Sequence, residues 1–175
     1  SLLSARTVPP VGGNTEFATM TAAYDALPDD TKQKLEGLVA EHSLVYSRES
    51  VTPVGALTAE MKAELPGAWQ TMVRENPVTH RKAIYAGAHA SHVIGWPRAE
   101  GRAFIKWLND FATQPQFCYN HAWREGDLVI WDNRAVLHRA TAYDTQRHKR
   151  LMQRTTVNGG VLTTAQPERY ELAAE

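Results

Sequence analysis

Three side chains near the C-terminal end of the sequence could do chemistry together: His138, Arg150 and Arg154. A neutral imidazole can ligate a divalent transition metal. The two arginines lie in Lys149-Arg150-Leu151-Met152-Gln153-Arg154, which reads as a strand. Residues of equal parity on a strand point to one face, so both guanidinium groups and Met152 share a side, while Leu151, Gln153 and Thr155 take the other. At ~3.4 Å per residue the arginine Cα atoms are about 13 Å apart, a spacing suited to two ends of a small dianion or to two neighbouring anions. Arginine fits that task because its planar fork holds a carboxylate through two parallel hydrogen bonds. Each residue also has an ordinary explanation: a lone histidine in a polar stretch is commonly a surface or loop residue, and two strand arginines are commonly a solvated edge.

These groups need a frame. With 175 residues, 43% of them hydrophobic, the chain can bury a sizeable core, and its length predicts one domain over 1–175. Nineteen basic residues offset nineteen acidic ones, so long-range electrostatics favour neither a polyanion nor an anionic membrane. The expected partner is a small molecule, with no nucleic acid and no membrane; a homo-oligomer is left open. Cys118 stands alone, which excludes an intramolecular disulfide and a multi-cysteine metal site and suits the reducing cytoplasm. No apolar run reaches the length of a membrane-spanning helix.

Strand-like segments are Ser1 to Arg6, Thr15 to Met20, His42 to Tyr46, Ala83 to Ala86, Phe117 to Trp123, Leu128 to Trp131 and Lys149 to Val157. Helical spacing marks Thr21 to Leu27, Asp29 to Val39, Ala59 to Leu65 and Glu100 to Thr113, the last with Phe104, Leu108, Phe111 and Ala112 on one apolar stripe. Arg124-Glu125-Gly126-Asp127 reads as a hairpin turn between two strands. The stretch 47–77, rich in Pro, Gly and Thr, is expected to be an insertion or lid, and the polar tail 163–175 to fray. Strands without strict strand–helix alternation predict a mainly β fold with flanking helices. Trp131 lies on the strand leading to His138 and fits either a metal pocket or the aromatic core; Trp123 reads as packing.

Several ordered motifs go further. Gly12-Gly13-Asn14-Thr15-Glu16-Phe17, Ala22-Ala23-Tyr24-Asp25-Ala26-Leu27-Pro28, Ala40-Glu41-His42, Ala112-Thr113-Gln114-Pro115-Gln116-Phe117, Gly126-Asp127-Leu128-Val129-Ile130-Trp131-Asp132-Asn133-Arg134 and Lys149 to Arg154 closely resemble the iron(II)/2-oxoglutarate-dependent dioxygenases of the taurine dioxygenase family. The resemblance covers nearly the whole chain. Gly87-Ala88-His89-Ala90-Ser91-His92 and Ala112 to Phe117 are most similar to its 2,4-dichlorophenoxyacetate dioxygenase branch.

The resemblance implies a double-stranded β-helix, or jelly roll, incomplete at its N-terminal side, whose mouth holds iron(II) on two histidines and one carboxylate, with 2-oxoglutarate as co-substrate. It makes His138 the distal histidine ligand, Arg150 the partner of the far carboxylate of 2-oxoglutarate, Thr15 a hydrogen-bond donor to that carboxylate, and Arg154 the contact for the substrate's anionic group. It also carries His89 and His92 into the substrate pocket, although on their own they read equally as a polar loop or strand-edge pair. The implied activity is hydroxylation of a small anionic substrate such as an aryloxyalkanoate, with decarboxylation of 2-oxoglutarate to succinate. Two alternatives stand beside it: a sulfonate dioxygenase of the same family, and a metal-free jelly-roll protein that binds a small carboxylate through Arg150 and Arg154.

The sequence departs from the family pattern in three places. The family's other two ligands form a His-X-Asp motif, yet none of His42, His80, His89, His92, His121, His138 and His148 is followed two positions later by Asp or Glu. That motif would precede Ser1, so the chain is expected to be a C-terminal fragment, inactive alone because one ligand binds iron poorly. Asn14 stands where the family usually has Asp, which keeps the turn and removes a charge. Arg74-Glu75-Asn76-Pro77 replaces Arg-Thr-His-Pro and removes a substrate-side histidine.

Overall fold

The structure is a computed structural model that describes residues 1–51, 57–157 and 164. In chain order its elements are β1 (Leu2–Thr7), β2 (Thr15–Thr19), α1 (Met20–Ala26), α2 (Asp29–Leu35), β3 (Val39–His42), α3 (Leu44–Glu49), α4 (Ala59–Ala63), β4 (Ala68–Thr71), β5 (Val73–Glu75), β6 (Lys82–Ile84), β7 (Ala90–Val93), α5 (Arg98–Ala112), β8 (Cys118–His121), β9 (Leu128–Ile130), β10 (Val136–Ala140) and β11 (Leu151–Thr155). The fold is mainly β with flanking helices, as the segment pattern predicts. No helix among the described residues is long and apolar enough to cross a membrane. The described residues fall into two compact units, one drawn from Ser1–Leu27, Glu75–Ile84 and residues 110–157, the other from Pro28–Arg74 and Tyr85–Asn109.

The first unit carries two three-stranded antiparallel sheets, ordered β11-β1-β9 and β10-β2-β8. In β1 and β2 the inward positions hold Ala5, Thr15 and Phe17, all buried. Thr19 caps α1 by accepting from the Ala22 backbone N–H at 3.4 Å, and Met20 and Ala23 on that helix are fully buried. The turn expected at Arg124 to Asp127 forms: the Arg124 N–H donates to the Asp127 carboxylate at 2.8 Å, and Gly126 takes a φ of 88°. The hairpin does not. β8 pairs with β2 while β9 pairs with β1. A turn signal reverses the chain but does not choose the strand's partner. Four strands escaped the sequence pattern, β4, β5, β7 and β10, and the last places His138 inside a strand rather than in the loop beyond one.

The second unit is the sheet β4-β3-β7 with α5 against it. Ile105 and Leu108 are buried on the helix, and a Cβ added at Gly101 would lie 2.8 Å from the Val93 backbone nitrogen, so glycine permits the close approach to β7. Three expectations change here. The helix over Asp29 to Val39 stops at Leu35, because Gly37 adopts a φ of 76° and Val39 opens β3. The extended segment His42 to Tyr46 is instead a strand end followed by a helix: Ser43 Oγ accepts from the Tyr46 N–H at 3.1 Å and starts α3. Within 47–77, β4 pairs along the whole of β3 and Met72 is fully buried, so that part belongs to the sheet and core. Residues 52–56 and the tail 163–175, Thr164 excepted, lie outside the described residues.

Candidate active site

Two glycines prepare the site. Gly12 and Gly13 link β1 to β2 with φ values of 74° and 66°, a backbone that side-chain-bearing residues rarely adopt. A Cβ at Gly13 would sit 2.7 Å from Pro9 Cγ and 3.2 Å from Arg150 Cδ. Glycine therefore admits the Arg150 side chain, whose Nε donates to the Gly13 carbonyl at 2.7 Å. The Gly13 N–H donates in turn to the Ala142 carbonyl at 3.2 Å, and Asn14 and Thr141 exchange bonds at 2.9 Å. The turn is thus tied to the segment that delivers Arg150.

Just beyond it, Arg150 Nη2 reaches the Thr15 hydroxyl at 3.4 Å, and the Trp123 indole N–H donates to the same oxygen at 2.9 Å. Thr15 is 3% exposed and Trp123 8%, while Arg150 is half-buried, so the hydroxyl and the indole are buried and the guanidinium is open on one side. Arg150 has five N–H donors. Nε and one hydrogen of Nη2 are engaged here, and the rest are available to a ligand.

Register places His138 on the same face. Phe17 pairs with His138 across one edge of β2, and Thr15, two residues before Phe17, points the same way. The His138 ring lies 6.4 Å from Phe17 and 5.0 Å from Trp131, whose ring is 5.3 Å from Phe17. Locally, Asp132 makes the turn into β10 by accepting from the Arg134 backbone N–H at 2.9 Å and from its guanidinium at 2.8 Å. Those bonds hold the Asp132 carboxyl below the usual carboxylate range. The structure therefore brings Thr15, Arg150 and His138 to one side of one sheet.

Arg154 belongs to the neighbouring sheet. Within β11, Met152 pairs with the buried Ala5 and Arg154 with Leu3, so these two share a face, while Arg150 stands before the strand begins. The Arg154 guanidinium is exposed and makes no hydrogen bond or ion pair with the described residues.

His89 and His92 belong to the second unit. His92 shares a face with Glu41, its cross-strand partner. The Ser91 hydroxyl bonds the Glu41 carboxylate, and His92 Nδ1 lies 2.8 Å from Ser91 Oγ. With the serine proton given to the carboxylate, that imidazole nitrogen must donate. Burial holds His92 below its usual pKa, against the pull of Glu41. His89 is exposed before β7; its backbone carbonyl accepts from the Ser43 N–H at 2.8 Å. His42, quoted in a family motif but given no role there, stacks on Tyr85 at 4.8 Å with Nε2 buried and unbonded among the described residues. Burial first, then the charges of His89 and Arg74, lower its pKa to about 4. Trp123 was also missed as more than packing, although its parity with His121, the partner of Thr15, points it toward that threonine.

A family model described as "Taurine catabolism dioxygenase TauD, TfdA family" matches residues 1–156. The chain belongs to this family. Among TauD/TfdA relatives, it is 48% identical over 162 residues to the alpha-ketoglutarate-dependent 2,4-dichlorophenoxyacetate dioxygenase of Cupriavidus pinatubonensis, covering 93% of the chain and 56% of that relative. It is 46% identical over 157 residues to the enzyme of the same name from a Burkholderia species, covering 90% of the chain and 52% of the relative. The (S)-phenoxypropionate/alpha-ketoglutarate-dioxygenase of Sphingobium herbicidovorans is 40% identical over 167 residues, with 91% and 57% covered. The chain spans about half the length of the curated relatives it matches. The crystal structure of AAD-2 in complex with Mn(II) and N-oxalylglycine superposes with a TM-score of 0.88 at 48% identity, covering 94% of this chain and 64% of that one.

Proposed function

We propose that the chain carries the distal metal imidazole and the co-substrate clamp of an iron(II)- and 2-oxoglutarate-dependent dioxygenase, built on a double-stranded β-helix, that hydroxylates a small anionic substrate such as an aryloxyalkanoate. The observation that carries this is the Arg150–Thr15 pair on the sheet face that also bears His138. A carboxylate set against that pair takes charge-assisted N–H bonds from the half-buried Arg150 and an O–H bond from the buried Thr15. The relatives named for phenoxy acids, and the Mn(II)- and N-oxalylglycine-bound structure, support both the substrate class and a dicarboxylate co-substrate beside a divalent metal.

Iron(II), when bound, supplies activation of dioxygen. Of its ligands the described residues offer His138, and no group of three His, Cys, Asp or Glu side chains among them can hold an ion. That donor set is incomplete, so no step is derived through the metal. The chain's own residues hold the far carboxylate with Arg150 and Thr15, pack Phe17 and Trp131 around His138, and offer Arg154 to the substrate's anion. His92 would have to leave its bonds with Ser91 to contact a substrate. The single, exposed Cys118 suits the reducing cytoplasm.

Arg150, with N–H groups left for a ligand, and the exposed Arg154 also fit a second reading, a metal-free protein that binds a small carboxylate. Calorimetric titration of these 175 residues within their full-length protein with 2-oxoglutarate, with and without Mn(II), separates them, since a single imidazole holds a metal poorly. Saturable binding that weakens by at least about tenfold in Arg150→Ala is expected under both. Tightening by Mn(II) that disappears in His138→Ala supports the dioxygenase; binding indifferent to Mn(II) supports the carboxylate binder. Binding unchanged in Arg150→Ala overturns both.

A further inference from the structure

A threonine hydroxyl has one proton and two lone pairs. At Thr15 two donors converge on Oγ1: the Trp123 indole N–H at 2.9 Å and Arg150 Nη2 at 3.4 Å. Neither group can accept a hydrogen bond, so both lone pairs are filled and the hydroxyl proton must leave in the remaining direction. Thr15 and Trp123 are buried, so water does not compete for those positions. The indole is itself held: the His121 ring meets it edge-on, with centroids 4.4 Å apart and planes at 83°. His121 is the strand partner of Thr15, so the register that aligns β8 with β2 also sets the height of the indole N–H.

We infer that Trp123 is a positioning residue for the co-substrate: it locks the Thr15 hydroxyl as an outward donor toward the carboxylate that Arg150 grips. This rests on the 2-oxoglutarate reading of Arg150 and Thr15. With phenylalanine at position 123 one lone pair is vacant, and the hydroxyl is free to turn that lone pair, rather than its proton, toward the ligand. Two acceptors then face each other. Trp123 touches no ligand in this scheme and acts only through Thr15.

A double-mutant cycle on 2-oxoglutarate affinity, read by calorimetry on the 175-residue chain, tests it. Trp123→Phe should weaken binding by about fivefold to tenfold, the worth of one buried hydrogen bond. In the Thr15→Val background the same substitution should cost nothing further, because the hydroxyl it orients is gone. Wild-type affinity in Trp123→Phe, or an equal loss in both backgrounds, overturns the proposal and leaves Trp123 as packing. If instead Thr15→Val and Arg150→Ala both bind as wild type does, the clamp reading itself fails. Should Trp123→Phe not fold, the indole N–H signals in a nitrogen–proton correlation spectrum decide: the signal displaced by Thr15→Val should also move on adding 2-oxoglutarate to the wild type. A signal that stays put overturns the inference.

Discussion

Arg150 and His42 show how differently two basic side chains can be used. Arg150 spends two of its directions on the chain itself, the Gly13 carbonyl and the Thr15 hydroxyl, and keeps its remaining N–H groups in a fixed plane for a ligand. Lysine has the charge but not the fork. Arg150→Lys should therefore weaken 2-oxoglutarate binding on the order of tenfold while leaving the melting temperature close to that of the wild type, checked by calorimetry and thermal unfolding. His42 is held neutral. Its folded pKa of about 4 lies below the ordinary 6.5, so between those values the unfolded chain binds more protons than the folded one. Stability is unaffected by this group above pH 6.5, falls as the pH drops through that window, and by pH 4 has lost on the order of 3 kcal/mol. Urea titrations at pH 7 and pH 4.5 should show a smaller acid penalty in His42→Phe; an identical penalty would exclude the histidine as its source. His138 and Arg150 were legible as candidates from their types and order, and Thr15 through the family resemblance. His42 and Trp123 were not, since burial and a shared hydroxyl are properties of neighbours distant in sequence.

Among the elements, the Gly12–Gly13 turn has the most direct bearing on the site. Gly13→Ala should cost about 1–2 kcal/mol from the left-handed backbone alone. It should also displace Arg150, because the new Cβ presses on Arg150 Cδ, so denaturant midpoint and 2-oxoglutarate affinity should fall together. A fall in stability with affinity intact would detach the turn from the clamp. At the start of α3, Ser43→Ala should cost about 1 kcal/mol by removing the bond to the Tyr46 N–H, read as a shift in the urea midpoint. That cap also explains a missed helix. Ser43 was read as part of an extended run because Leu44, Val45 and Tyr46 suit a strand, and a single side-chain oxygen overrides them. The same limit separated β8 from β9: Gly126 announces a turn, but the edges of β1 and β2 that receive the two strands lie more than 100 residues earlier. β10, Val136-Leu137-His138-Arg139-Ala140, follows an Asp-Asn turn and has no alternation of apolar and polar residues, so no period of two marks it as a strand.

At the scale of the whole molecule, the sheet β11-β1-β9 turns one face to solvent. Leu128, Ile130 and Leu151 share that side and are 58%, 66% and 45% exposed. Leu128 and Ile130 stand two apart on the edge strand β9, and exposed apolar side chains on a sheet edge promote self-association. Replacing Leu128 and Ile130 with threonine should lower concentration-dependent light scattering without altering the fold, measured by circular dichroism. The chain has no net charge, so it does not draw anions in from a distance, and selection must occur on contact. The Thr15 hydroxyl matters here in another way. With its lone pairs filled, the clamp presents donors alone, from Arg150 and from the hydroxyl proton. A carboxylate can accept every one of them. Its amide, almost identical in shape, must turn an NH₂ toward hydrogens already pointing outward, and the site has nothing with which to receive it. Discrimination between an acid and its amide, by at least about tenfold in affinity, is thus written into which atoms have no lone pair left to give.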